Sequence, residues 1–250
     1  MSDLLPPLAA RLRPRQTGFS LVELMVAITI ALFIALGLSV LYMNMKTTFN
    51  SQDQMSQLQD GQRLAATMLT TTVQSAAYFP NPLATTLVVA LPTSTVQNPD
   101  GTAFAAGQGI SGTSSATASG SDTVDVRYQT AAGDGLMNCQ GQTSALGTTW
   151  VNSFAVNANN ELTCAVNGGT PVALVGNVAQ MTLLYGVDTD GDGFTDTYLN
   201  AATVTSANLW ANVHTAKFTL SFLNPLAAKS GPAATLPNPW VQTISLMNRT

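Results

Sequence analysis

The feature that most restricts this chain is an uncharged apolar run whose length matches a lipid bilayer. From Leu24 to Met45 no charged residue occurs. As a helix this stretch is about 33 Å long, enough to cross a hydrocarbon core about 30 Å thick. Ahead of it, residues Met1 to Gly18 are polar and hold Arg11, Arg13 and Arg15 against one acid, Asp3. That bias predicts an N-terminus that stays in the cytoplasm and a remainder that is exported. A secretory signal has a shorter apolar stretch with a small-residue cleavage site at its far end. Here the conspicuous small residue, Gly18, precedes the run.

One carboxylate, Glu23, sits where the run begins. A charged side chain inside a bilayer costs about 2.5–3.5 kcal/mol on insertion scales, so its presence marks a function. The stretch Arg15-Gln16-Thr17-Gly18-Phe19-Ser20-Leu21-Val22-Glu23-Leu24 resembles the class III leader of type IV prepilins and pseudopilins, with a plain membrane anchor as the alternative. The resemblance implies that a membrane aspartyl peptidase cuts after Gly18 and N-methylates Phe19. Glu23 then becomes the fifth mature residue, about one helical turn from the new α-amine. In a filament, Glu23 would pair with the Phe19 amine of a neighbouring subunit, lowering the cost of two charges in an apolar core and fixing axial position.

The helix is expected to continue past the membrane. From Asn44 to Ala77 there is no proline, and Leu58, Ala65, Met68, Leu69, Val73 and Ala76 recur at the spacings of one helical face. Gly61 interrupts at a cost of about 1 kcal/mol relative to alanine. Pro80 and Pro82 predict an end near Tyr78. The expected division is a leader at 1–18, a membrane or filament-core half at 19–45, an amphipathic half at 46–78, and a β-rich head at 79–250. In the head, the apolar run Leu87–Leu91 reads as a strand and Asn98–Ser121 as a loop. Strands are expected at Thr123–Tyr128, Thr149–Val156, Glu161–Val166, Val178–Gly186, Val213–Leu223 and Trp240–Met247. The fold class is α+β, one antiparallel sheet against a long helix.

Between two of these strands lies Asp188-Thr189-Asp190-Gly191-Asp192-Gly193-Phe194-Thr195-Asp196. Alternating acids in a tight turn direct several oxygens to one point, which is the first part of a calcium loop, with the Phe194 carbonyl as a further ligand. Leu199 stands where an EF-hand needs a bidentate glutamate, so the pattern resembles shorter Asp-rich calcium loops. Of thirteen acids in the chain, four fall in this nonapeptide and would repel one another unless screened. The alternative is a plain Asp-Gly hairpin.

A net charge of −4 and a pI near 4.7 argue against direct nucleic-acid binding, which needs a basic face. No catalytic set is visible. His214 is the sole histidine, there is no phosphate-binding glycine loop, and Trp150, Trp210 and Trp240 read as sheet packing. The chain is expected not to be an enzyme.

The segments Asp122-Thr123-Val124, Arg127-Tyr128, Cys139, Cys164, Tyr185 to Gly193, and Trp210 through Lys217-Phe218-Thr219-Leu220 resemble PilW-type minor pilins. That resemblance implies the type IV pilin fold, a Cys139–Cys164 disulfide, and a low-abundance subunit that initiates or caps a type IV pilus. Twitching motility, adhesion or DNA uptake would follow. The implied partners are other minor pilins, the major pilin, the prepilin peptidase and an inner-membrane assembly platform. The implied location is the inner membrane, single-pass with the head periplasmic, and then the cell-surface pilus. Two alternatives stay open: a J-type minor pseudopilin of type II secretion, and a pilus-tip adhesin.

Overall fold

A computed structural model describes residues 18–94, 101, 103–144, 146–227, 236 and 238–247. Leader residues 1–17, and positions 98–100 and 102 of the expected loop, lie outside them. The chain divides into two compact units, Met1–Gln52 and Asp53–Thr250.

Helix α1 runs from Leu21 to Gln74, 54 residues or about 81 Å. Its start is chemically defined. The Ser20 hydroxyl accepts the Glu23 N–H at 3.2 Å, and Glu23 adds a negative charge to the first turn. In the first unit every residue from Gly18 to Asn50 is exposed. Within the second unit the same helix buries Leu58, Ala65, Leu69 and Val73, the stripe that the spacing predicts. Gly61 faces β5: a Cβ there would lie 3.3 Å from Val175 Cγ1, tight enough that the valine would have to shift by a few tenths of an ångström.

The helix stops at Gln74 and does not reach Tyr78. The amides of Ser75 and Ala76 turn back to Thr72 and Val73, and Ala77 takes a φ of 62°. The Ala77 N–H then donates to the Arg127 carbonyl at 2.9 Å, so pairing with the head ends the helix before Pro80 does.

The apolar run after Pro82 corrects the expected strand: Leu87–Ala90 is a short helix, α2. The Val89 and Ala90 amides bond to the Thr86 carbonyl, which satisfies them locally without a partner strand. The head holds two antiparallel sheets where one was expected. The first has the order β1-β2-β3-β4-β5, with β1 Ile110–Thr113, β2 Thr123–Gln129, β3 Thr149–Val156, β4 Leu162–Val166 and β5 Val172–Val175. The second has the order β7-β6-β8-β9, with β6 Val178–Val187, β7 Thr197–Leu199, β8 Val213–Phe222 and β9 Trp240–Ser245. A short helix α3, Ala201–Ser206, follows β7, with the Asn200 side chain capping the Thr203 amide.

Strand β1 lies inside the stretch expected to be loop, because Ile110–Thr113 pairs residue for residue with Val126–Thr123. One buried cluster holds residues of both sheets and of α1, among them Val126, Phe154, Met181, Tyr185 and Phe218 with Leu69 and Val73. Each such side chain contributes about 1.5–3 kcal/mol on burial.

Candidate functional site

The N-terminal site is compact in sequence and in space. Gly18 and Phe19 precede the first turn of α1, Ser20 caps it, and Glu23 lies on it. Phe19 is 83% exposed, so the Gly18–Phe19 bond sits on an accessible, non-helical approach to the apolar helix. Among the described residues α1 is the one helix long and apolar enough to cross a membrane. The serine cap was missed in the sequence, although Ser20-x-x-Glu23 carries the capping-box spacing.

The aspartate segment forms the connection from β6 to β7, closed by the Asp196 N–H on the Val187 carbonyl at 3.0 Å. Asp188 is buried at its root. One of its oxygens accepts the Gly191 amide at 2.6 Å and the Asp190 amide at 3.2 Å, and the other accepts Gly193 at 2.9 Å. Gly191 and Gly193 have φ of 81° and 89°, conformations that turn those amides inward and that L side chains rarely adopt. These amides, Gly193 foremost, hold the Asp188 carboxyl below its ordinary range, and His214 Nε2 at 3.7 Å adds to this. Asp196 is likewise lowered, because the Thr189 hydroxyl and amide both donate to it, at 2.6 and 2.7 Å. Asp190 moves the other way. It accepts the Asp192 amide, but desolvation and the neighbouring carboxylates outweigh that bond and raise it.

The structure brings together three of the four predicted acids: one oxygen each from Asp188, Asp190 and Asp196 lies within 4.8 Å of the others. Asp192 stands outside this group, its carboxylate accepting the Phe194 amide at 2.8 Å. The Phe194 ring is exposed.

Cys139 and Cys164 are joined by a buried disulfide, with Cα atoms 6.3 Å apart. The loop it anchors is held three more times. The Cys139 amide donates to Asn152 Oδ1 at 2.8 Å, the Tyr128 hydroxyl to the Met137 carbonyl at 2.5 Å, and Gln140 Nε2 to the Cys164 carbonyl at 3.0 Å. Burial pushes the Tyr128 hydroxyl up to about 12.

Arg127 has a role that the alternation of β2 hides. It lies on the face opposite Val124, Val126 and Tyr128, yet it too is buried, and its guanidinium donates to the carbonyls of Pro92, Ala105 and Gln108 at 2.6–3.1 Å and Leu91 at 3.3 Å, over the Phe104 ring. Burial pulls it down to about 10. It pins the segment between α2 and β1 to the sheet. Asp122 ties the two sheets together, accepting the Ser115 and Leu183 amides at 2.7 Å.

With this geometry in place, similarity to known proteins is informative. The family described as Type IV Pilus-assembly protein W matches residues 144–231, from the approach to β3 through β8 and including the aspartate loop. The prokaryotic N-terminal methylation motif matches residues 13–39. No curated protein matches the chain. Among solved structures it is similar to a type IV-like pilin from Thermus thermophilus, at 15% identity over 76% of this chain and 96% of that one, with a TM-score of 0.44. The chain thus joins a segment similar to the prokaryotic N-terminal methylation motif, at the start of its apolar helix, to a head segment similar to the Type IV Pilus-assembly protein W family.

Proposed function

We propose that this chain helps start or cap the filament, entering it through α1 after the leader is removed behind Gly18. The observation that carries this reading is the exposure of every α1 residue from Leu21 to Asn50, while the buried core draws on none of them. An apolar helix of this kind needs lipid before assembly and the helices of neighbouring subunits afterwards. Cleavage would create a cationic Phe19 amine one turn from Glu23. In an apolar fibre axis each charge is far less costly when it meets its opposite on the next subunit. The partners are then the major pilin, other minor pilins and the assembly platform, with twitching, adhesion or DNA uptake as downstream readouts. Deleting the gene and counting surface pili tests this: a severe fall is expected. Unchanged piliation with lost protein secretion would instead favour the pseudopilin reading.

A second reading concerns calcium, favoured by the convergence of Asp188, Asp190 and Asp196. A cation there would offset the desolvation and carboxylate repulsion that raise Asp190. Titration calorimetry of the full chain in detergent should show heat with calcium up to millimolar concentration, lost in Asp190→Asn. No heat from the unmodified chain would reject the site.

A further inference from the structure

Side chains alternate along a strand, so Asp125, Ser153 and Thr163 lie on the face of the first sheet opposite Val124, Phe154 and Cys164. Asp125 stands directly across from Ser153, Ser153 across from Ala165, and Thr163 across from Ala155. The second face of an antiparallel sheet is commonly solvated. Here Asp125 is 0% exposed, Thr163 6% and Ser153 8%. Beside the two small alanines a hollow of about 30 Å³ opens among these polar groups, with Pro171 of the β4–β5 connection also lining it. That volume admits one water-sized particle and nothing larger.

The chemistry of the wall narrows the guest. Ser153 Oγ is buried without a hydrogen-bond partner. The Thr163 hydroxyl donates to the Ala155 carbonyl at 3.0 Å, so it offers the hollow lone pairs and no proton. Asp125, when ionised, brings one negative charge, and no basic side chain lines the hollow. The carboxylate repels an anion. Side-chain oxygens with a single negative charge suit a hard cation of one charge, whereas calcium sites draw on more carboxylates.

We propose that this hollow is a site for a monovalent cation of sodium's size, held by the Asp125 carboxylate and the Ser153 and Thr163 hydroxyls. The ion ties β2, β3 and β4 together on the face away from the core, and a buried carboxylate is far less costly beside a positive charge. The site shares no residue with the aspartate loop and does not depend on the filament reading.

Thermal melts of the full chain in detergent test this, in sodium, potassium and choline chloride at equal ionic strength, with EGTA present to remove divalent ions. Sodium should raise the melting temperature at least about 3 °C above choline, with potassium between them. Ser153→Ala should melt equally in the three salts. So should the isosteric Thr163→Val, which supplies the same readout if the alanine variant does not fold. Asp190→Asn, in the aspartate loop, should keep the full sodium effect. Equal melting of the unmodified chain in all three salts would overturn the site and leave the hollow to water. A sodium effect that persists in the hydroxyl variants, or that is lost in Asp190→Asn, would overturn it as well, by placing the ion elsewhere.

Discussion

Two parts of one helix follow opposite rules. From Leu21 to Asn50 α1 buries nothing, whereas from Leu58 to Val73 it adds a buried stripe to the core that the strands of both sheets share. The backbone is continuous and the hydrogen bonding is the same, so the difference lies in where each part finds its apolar partners. The head finds them within its own chain. The first part, among the described residues, finds none there; on the filament reading it finds them in lipid and then in other subunits. Stability and assembly should therefore respond to different residues of the same element.

Glu23→Ala should give the largest effect: membrane insertion kept, and incorporation into pili reduced at least tenfold, as read by immunoblotting of sheared pili against membranes. Normal incorporation would show that Glu23 serves only the first turn of α1. Next comes a paired substitution within the helix. Leu69→Ala, at a buried position, should cost the head about 2–5 kcal/mol. Leu32→Ala, at an exposed one, should stay within about 0.5 kcal/mol. Thermal melts of the full chain in detergent decide this, and equal losses at both positions would erase the distinction. Replacing both cysteines, Cys139→Ser with Cys164→Ser, should cost about 3–4 kcal/mol, lowering the melting temperature by about 2–4 °C for each kcal/mol.

The smallest effect concerns acid. Asp188 and Asp196 have lowered carboxyls in the folded head. Their contribution is complete above the unfolded carboxylate value of about 3.9 and disappears as pH falls through their lower folded values. Asp190 is raised, so it opposes folding above its own titration and offsets part of the gain. Asp188→Asn should therefore lower stability at neutral pH and flatten the acid limb of the melting-temperature profile. A variant curve parallel to the parent would contradict this.

How much of this was legible depended on whether a residue's partner was local. Strand β3 falls at the expected Thr149–Val156, and the buried stripe of α1 follows its spacing, because periodicity records a single face. Strand β1 was not legible: Ile-Ser-Gly-Thr has loop composition, and only β2 makes it a strand. The run Leu87–Ala90 is too short for periodicity to separate helix from strand. Alternation in β2 separates Asp125 and Arg127 from Val124, Val126 and Tyr128, but both faces are buried, in the case of Arg127 by residues whose position no local pattern encodes. At the aspartate loop, spacing grouped four acids, and the fold gathers oxygens of Asp188, Asp190 and Asp196 while Asp192 stands aside, around two glycines of positive φ that spacing alone does not place.

The claim beneath all of this is that the apolar half of α1 begins at a newly made N-terminus and is handed from lipid to a fibre. Mass spectrometry of the chain recovered from sheared pili tests it most directly. The expected N-terminal peptide starts at Phe19 and carries one added methyl group. A mature chain that still begins at Met1, or that starts beyond the apolar run, would contradict it.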